Sequence, residues 1–191
     1  MKVRKAGQNS FFESRGVSQM NSFSLAAHLP LPGWAYVPGE TADEPDHQTL
    51  WQAKALVPAQ FFGSVPARHP ALRYGIALND AGYFWEAQEV LEAVWAAAPQ
   101  GGRERILLRA CIQIANANLK LRMRKPHAVA RLWSEALAAI KGPLSRRSAA
   151  ARNGFAERFP IMALGKLLEA RLAQATLSKS DWIEIGSIDK I

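Results

Sequence analysis

The chain has a single cysteine, Cys111, among its 191 residues. One thiol excludes an internal disulfide and fits a reducing compartment, which predicts a cytoplasmic protein. Cys111 lies within an apolar helical pattern, where a cysteine usually packs as a small hydrophobe. The sequence also lacks long apolar runs, so we expect no transmembrane segment and no membrane partner.

Several motifs that would indicate a known chemistry are missing as well. The sequence has no glycine-rich phosphate loop, no recognisable Ser-His-Asp arrangement and no CxxC pair. It shows no convincing alternation of apolar and polar residues, the pattern that predicts a β-strand. The net charge of +8 is spread thinly along the chain, without a basic run interleaved with aromatic residues. Nucleic-acid binders usually concentrate their charge, so we expect nucleic acid to be an unlikely partner.

The first 69 residues differ in character from the rest. Residues 1–24 mix basic and small polar residues without periodicity, and we expect either a disordered leader or a translation start at Met20. Residues 25–69 are rich in proline, which restricts φ and removes a backbone donor. We therefore predict an extended arm that packs on the body of the protein, with a short helical turn around Leu50–Leu56.

The remaining sequence is helical in pattern. Apolar periodicity, prolines at helix starts and glycines at helix ends together predict five helices. Their approximate bounds are 70–82, 83–98, 103–124, 127–140 and 160–176. We predict an all-α fold: a compact bundle of about five helices built on a central antiparallel hairpin. Residues 70–178 would form the single domain, and residues 179–191 a C-terminal tail whose Trp182, Ile183 and Ile185 dock on the body.

Polar residues occupy positions of the central hairpin where helical spacing predicts a core. Gln88 falls inside the apolar face of the second predicted helix, and Glu89 and Glu92 flank that face. Glu86 points more nearly away from it. Counting outward from the turn sets Glu89 near the level of Arg109 on the third helix. The third helix is apolar around most of its circumference except for one polar stripe of Arg105, Arg109, Gln113, Asn116 and Lys120.

Two interpretations of this polar cluster stay open. The side chains either form interhelical ion pairs and amide bonds, with Gln88 bonded near Arg109–Gln113, or they line a pocket for a ligand or a metal. A divalent metal is the one cofactor that the composition of the cluster suggests, with Glu89 and Glu92 as its candidate ligands. The candidate polar pocket comprises Glu86, Gln88, Glu89, Glu92, Arg109, Gln113 and Asn116.

Three spaced motifs of the hairpin region resemble a known family. The chain reads Leu78-Asn79-Asp80-Ala81-Gly82, then Glu86-Ala87-Gln88-Glu89-Val90-Leu91-Glu92, and later Ala110-Cys111-Ile112-Gln113-Ile114-Ala115. These motifs are similar in order and spacing to those of the domain-of-unknown-function family numbered 309. With a Pro-Gly-Trp-Ala-Tyr-Val-Pro-Gly lead-in at 32–39, the resemblance covers about residues 32–140. It implies an uncharacterised helical protein, and some groupings describe such proteins as predicted metal-dependent hydrolases.

The chain departs from the family pattern at Gln88, where that pattern has histidine. A histidine and a carboxylate four residues apart on a helix can share a metal, whereas glutamine is a poor transition-metal ligand and no general base. We therefore expect a binding or interaction module, monomeric or homodimeric, with a protein or small-molecule partner. The alternatives are a metal-dependent hydrolase that uses Glu89 and Glu92, and a weak nucleic-acid binder. The basic residues of the last alternative are Arg122, Arg124, Lys125 and Arg131.

Overall fold

A computed structural model describes residues 29–144 and 154–188 of the chain. These residues form seven α-helices and no β-strand, which confirms the predicted all-α bundle. The predicted leader and the first four residues of the predicted arm lie outside the described part. Among the described helices, none is both long and apolar enough to cross a membrane. The elements are α1 (His47–Ala55), α2 (Pro70–Asp80), α3 (Phe84–Ala97), α4 (Arg103–Arg122), α5 (Pro126–Ala139), a π-helical turn (Ile140–Leu144), α6 (Phe155–Arg158) and α7 (Ile161–Leu172).

The observed helices begin and end close to the predicted bounds. Helix α2 starts at Pro70, whose fixed φ suits a first turn, and it ends just before Gly82, whose φ of +89° favours glycine. Helix α7 is shorter than its apolar periodicity suggests, since it ends at Leu172. Sequence analysis missed α6, because its four residues are too few to show a helical period.

The hairpin of α3 and α4 is the centre of the bundle, with α2 packed on α3 and α5 packed on α4. The side chain of Arg105 bonds across the turn that joins α3 and α4. One guanidinium nitrogen, Nη1, donates to the carbonyl oxygens of Trp95, at 2.9 Å, and Ala98, at 3.2 Å, at the end of α3. The guanidinium carbon also lies 3.8 Å from the centre of the Trp95 ring. A cation at a helix C-terminus satisfies its free carbonyls and is stabilised by the helix dipole.

Two buried asparagine side chains join the C-terminal segment to the bundle. Asn118 of α4 donates to the carbonyl of Ile183, at 2.9 Å, and accepts from the Ile183 N–H, at 3.0 Å. Asn79 of α2 donates to the same carbonyl, at 2.9 Å, and accepts from Asn118, at 2.8 Å. We refer to Asn79, Asn118 and the Ile183 backbone as the amide clamp. Both side chains are fully buried, and leaving such a group unpaired costs about 1–3 kcal/mol.

The C-terminal segment therefore belongs to the core. Ile183, Ile185 and Ile188 are each at most 2% exposed and pack in the main apolar cluster. The Asp80 carboxylate accepts from the Gly186 N–H at 2.8 Å, which extends the attachment beyond the clamp. Burial of three branched apolar side chains in one short segment supplies several kcal/mol toward docking it.

Glu104 forms a similar bond at the other end of α4. This residue lies in the first turn of α4, is 6% exposed, and accepts from the Ala156 N–H of α6 at 3.0 Å. Burial raises the pKa of the Glu104 carboxyl to about 7, although the bond from Ala156 acts in the opposite direction. The carboxylate and the Phe155 N–H, which donates to Val65 at 2.8 Å, together hold the start of α6 on the bundle.

Asn118→Ala is expected to lower the free energy of unfolding by roughly 1–3 kcal/mol, because it leaves Asn79 and the Ile183 backbone unpaired in the core. Urea denaturation followed by tryptophan fluorescence measures the loss. Asn116→Ala is the control, since Asn116 is half-buried on the same helix and outside the clamp. Equal losses in the two variants would show that the clamp does not stabilise the fold.

The raised pKa of Glu104 predicts a pH dependence of stability. The folded protein binds this proton more tightly than the unfolded chain, in which the ordinary pKa is 4.5. The stabilisation is complete below that value and is lost as the pH rises through about 7. Glu104→Gln should therefore flatten the decline of the unfolding free energy across this window. Exposed Glu92→Gln serves as the control, and an identical decline in both variants would contradict the assignment.

Candidate functional site

The residues that sequence analysis placed in a polar pocket on α3 have separate partners. Gln88 donates to the carbonyl of Phe84, one turn earlier on its own helix, at 3.2 Å. The prediction that Gln88 bonds α4 near Arg109 is therefore wrong. Glu89 accepts from Lys54 of α1, with Nζ and Oε2 2.6 Å apart, because α1 packs on the face of α3 that Glu89 occupies.

The predicted residues of α4 also diverge. Gln113 donates to Glu135 of α5, at 2.8 Å, and thus fixes the packing of α4 on α5. Asn116 is half-buried. Glu92 and Arg109 are exposed, and these two do line one cleft together, beside the Trp95 ring. The structure thus brings together one pair of the seven candidates. Of the other five, three bond to three different parts of the chain, Gln88 bonds within its own helix, and Asn116 lies outside these contacts.

Glu86 departs most from its predicted position. It was expected to point away from the core, but its side chain is fully buried and Oε1 accepts from the Tyr36 N–H at 2.7 Å. The residues that precede α1 cover this face of α3, with the Tyr36 ring packed edge-on to Trp85. Burial raises the pKa of Glu86, while the bond from Tyr36 and the charge of Arg122 oppose that shift. A helical wheel gives the angular position of Glu86 on α3, but it does not show that another segment of the chain covers that face of the helix.

The two candidate metal ligands do not fit a metal centre in this structure. Lys54 neutralises the carboxylate of Glu89, and the carboxylate of Glu92 is exposed. Within residues 29–144 and 154–188, no group of three or more histidine, cysteine, aspartate or glutamate side chains lies close enough to hold a metal ion.

A cavity of about 640 Å³ lies at a different place, where the ends of α4 and α7 meet the start of α5 and residues 174–179. We refer to it as the basic cavity. Its apolar lining includes Leu121, Ala130, Trp133, Leu172 and Leu177, and its polar lining includes Arg124, Lys125, His127, Arg171 and Lys179. None of the described residues that line it is acidic. The cavity thus combines an apolar surface with positive charge.

The turn between α4 and α5 places two of these cations. Arg124 has a φ of +55°, a left-handed conformation that usually requires glycine. The N–H of Lys125 donates to Lys120 and that of Arg124 to Leu121, which closes the helix end in a Schellman motif. Pro126 then begins α5. The chain therefore reverses within a few residues and presents Arg124 and Lys125 side by side, both exposed.

The opposite wall is held by an ion pair. Arg171 of α7 donates to Asp181, with Nη1 and Oδ1 3.0 Å apart, and Asp181 also accepts from the Ser178 N–H at 2.6 Å. That backbone bond, followed by the Ser178 side chain and Arg171, lowers the pKa of Asp181. Because Ile183 is fixed by the amide clamp shortly afterwards, residues 174–182 are anchored at both ends.

Two buried donors of the cavity lining have no acceptor within the described chain. They are Nε1 of Trp133, a residue that is fully buried, and Nε of Arg171. Buried N–H groups in folded proteins nearly always have a partner, because leaving one unpaired costs about 1–3 kcal/mol. Both nitrogens have almost no accessible surface, so they lie behind the cavity wall, where a molecule in the open cavity does not reach them.

Sequence analysis found part of this site. It singled out Arg124 and Lys125 as a basic group, but it did not connect them with Trp133, Arg171 or Lys179. No spacing rule links these positions, because α5, α7 and the C-terminal segment meet only in the folded chain.

A family described as "Domain of unknown function (DUF309)" matches residues 72–132 of the chain, which confirms the resemblance noted from the motifs. The matched span includes both asparagines of the amide clamp and the turn that carries Arg124 and Lys125. It does not include α7 or residues 174–179. A search of curated proteins returned no match, and neither did a search of solved structures.

Arg124→Gly is expected to raise the free energy of unfolding by about 0.5 kcal/mol. Glycine removes the steric cost of a left-handed arginine, and its larger loss of backbone entropy on folding offsets part of that gain. Lys125→Gly is the matched control, since the φ of Lys125 is −110° and glycine should only destabilise there. Denaturant unfolding compares the two variants. If both are destabilised equally, the conformation of Arg124 carries no cost.

Proposed function

We propose a function from the basic cavity itself, because the family that matches residues 72–132 is described without an activity. The protein is a binding module for a small organic anion that has an apolar body. The observation that carries this proposal is an apolar cavity of about 640 Å³ with a basic rim, whose described lining residues include no acidic one.

The size and lining of the cavity support a small-molecule ligand. Its volume of about 640 Å³ falls inside the range of roughly 300–1,000 Å³ that is typical of ligand pockets. Leu121, Leu172 and Leu177 offer an apolar surface on which a hydrocarbon or ring system would be removed from water. A simple inorganic anion would leave this surface unused.

The charges of the rim support a negative ligand. Arg124, Lys125 and Lys179 are exposed, and none of them forms an ion pair with another described residue. Exposed cations attract an anion and raise its association rate, but each contributes little to affinity.

The other two functions considered from the sequence have less support in this region. The hydrolase alternative depended on Glu89 and Glu92, of which the first pairs with Lys54 and the second is exposed. Of the four basic residues of the nucleic-acid alternative, Arg124 and Lys125 lie in the basic cavity, and Arg131 pairs with Glu135. An anion site that includes Arg124 and Lys125 accounts for the same charges with a defined cavity.

Octanoate is the probe that tests this proposal, with octanol as its uncharged counterpart. Isothermal titration calorimetry should show octanoate binding at least about tenfold more tightly than octanol, a difference of about 1.4 kcal/mol. Equal affinities, or no binding of either probe, would contradict an anion site.

A further inference from the structure

A second cleft adjoins the basic cavity. Its volume is about 390 Å³, and its lining includes Tyr83, Phe84 and Trp182 together with Arg122 and Lys179. We refer to it as the aromatic cleft. Lys179 also lines the basic cavity, so its side chain stands between the two. Of the described residues that line the aromatic cleft, none is acidic.

We propose that the aromatic cleft binds a phosphate ester that carries a planar aromatic ring, that is, a nucleotide unit. Its ring lies in the aromatic cleft and its phosphate lies at Lys179. This inference rests on the proposed function for its phosphate, because Lys179 lines both cavities, and it goes beyond that function by placing a ring in the aromatic cleft. It adds a second subsite that the basic cavity alone does not require.

The aromatic cleft offers a positioned surface for stacking. Trp182 is half-buried, and its ring packs edge-on to Phe84 with the ring centres 5.8 Å apart. The next residue, Ile183, is held by the amide clamp, so the backbone at Trp182 is fixed before any ligand arrives. A ring that is already ordered loses little entropy on binding, and stacking on it accepts any base.

The charges between the two cavities fit a phosphate. Lys179 is exposed and shared by both linings, and Arg122 is half-buried in the aromatic cleft. Arg122 reaches the Gly82 carbonyl at 3.5 Å, and its charge also acts on the buried carboxyl of Glu86 behind the cleft. Arginine and lysine are the residues that most often bind phosphate oxygens, and here they flank the aromatic side chains.

A nucleotide unit contacts both the aromatic side chains and the cations of the cleft, whereas a simple carboxylic acid contacts only the cations. The sequence placed Arg122 and Arg124 near each other without an aromatic residue to stack on. The fold supplies that platform by bringing Trp182 across from the C-terminal segment and Tyr83 from the start of α3. The same unit occurs in free mononucleotides and in single-stranded nucleic acid, which the experiment has to distinguish.

Calorimetric titrations of the full chain with adenosine 5′-monophosphate, adenosine and ribose 5-phosphate test the inference. The monophosphate should bind at least about tenfold more tightly than either fragment, because only it engages the cleft and Lys179 together. Trp182→Leu should reduce its affinity to that of ribose 5-phosphate and leave octanoate binding unchanged. Trp51→Leu, at an exposed tryptophan on α1, is the control and should have no effect.

Lys179→Ala provides a second variant that does not disturb the core, with exposed Lys166→Ala on α7 as its control. It should weaken binding of the monophosphate at least about threefold while Lys166→Ala does not. An oligodeoxyadenylate of eight nucleotides, titrated at two salt concentrations, shows whether the nucleotide unit comes from a free nucleotide or from single-stranded nucleic acid. Tighter binding than the monophosphate with a steep salt dependence supports a single-stranded nucleic acid, and weaker binding supports a free nucleotide.

Two results would overturn the inference. The first is a monophosphate that binds no more tightly than ribose 5-phosphate, and the second is a Trp182→Leu variant that keeps the full affinity for it. If octanoate still binds in either case, the basic cavity remains an anion site and only the nucleotide assignment fails. If neither octanoate nor the monophosphate binds, the proposed function fails as well.

Discussion

The rest of the structure depends on the hydrogen bonds that the amide clamp makes with one residue of the C-terminal segment. Asn118 pairs with both the N–H and the carbonyl of Ile183, as a neighbouring strand would, and Asn79 completes the network from α2. Three parts of the chain that are far apart in sequence thereby meet at fully buried polar groups. Such a network tolerates no shift in position, because each group would lose its partner without access to water.

The same principle attaches the residues around Tyr36 and the start of α6. Buried carboxylates on the central helices accept backbone N–H groups of the segments that cover them: Glu86 accepts from Tyr36, and Glu104 from Ala156. An irregular segment and the first turn of a helix both have backbone donors that no preceding turn satisfies, so side chains of the bundle satisfy them. The raised pKa values of both carboxyl groups are the consequence of burying them for this purpose.

The candidate site lies where the family segment meets the C-terminal part of the chain. Residues 72–132 contribute Arg124 and Lys125, while Arg171, Lys179 and Trp182 come from beyond that segment. The clamp orders the polypeptide that carries Lys179 and Trp182, so stability and the proposed binding share one structural cause. A protein with the same family segment and a different C-terminal segment would have the clamp residues without this cavity.

The sequence by itself determined the five longer helices from α2 to α5 and α7, because apolar periodicity, Pro70 at a helix start and Gly82 after a helix end are local signals. It also identified the family whose model matches residues 72–132 and the basic residues around Arg124. It did not determine the partners of the polar residues: Gln88 bonds within its own helix, and Glu86 is buried under residues that precede α1. Only the tertiary structure decided those contacts and the cavity. Both depend on contacts between segments that are distant in sequence, and such contacts produce no periodic pattern of residues.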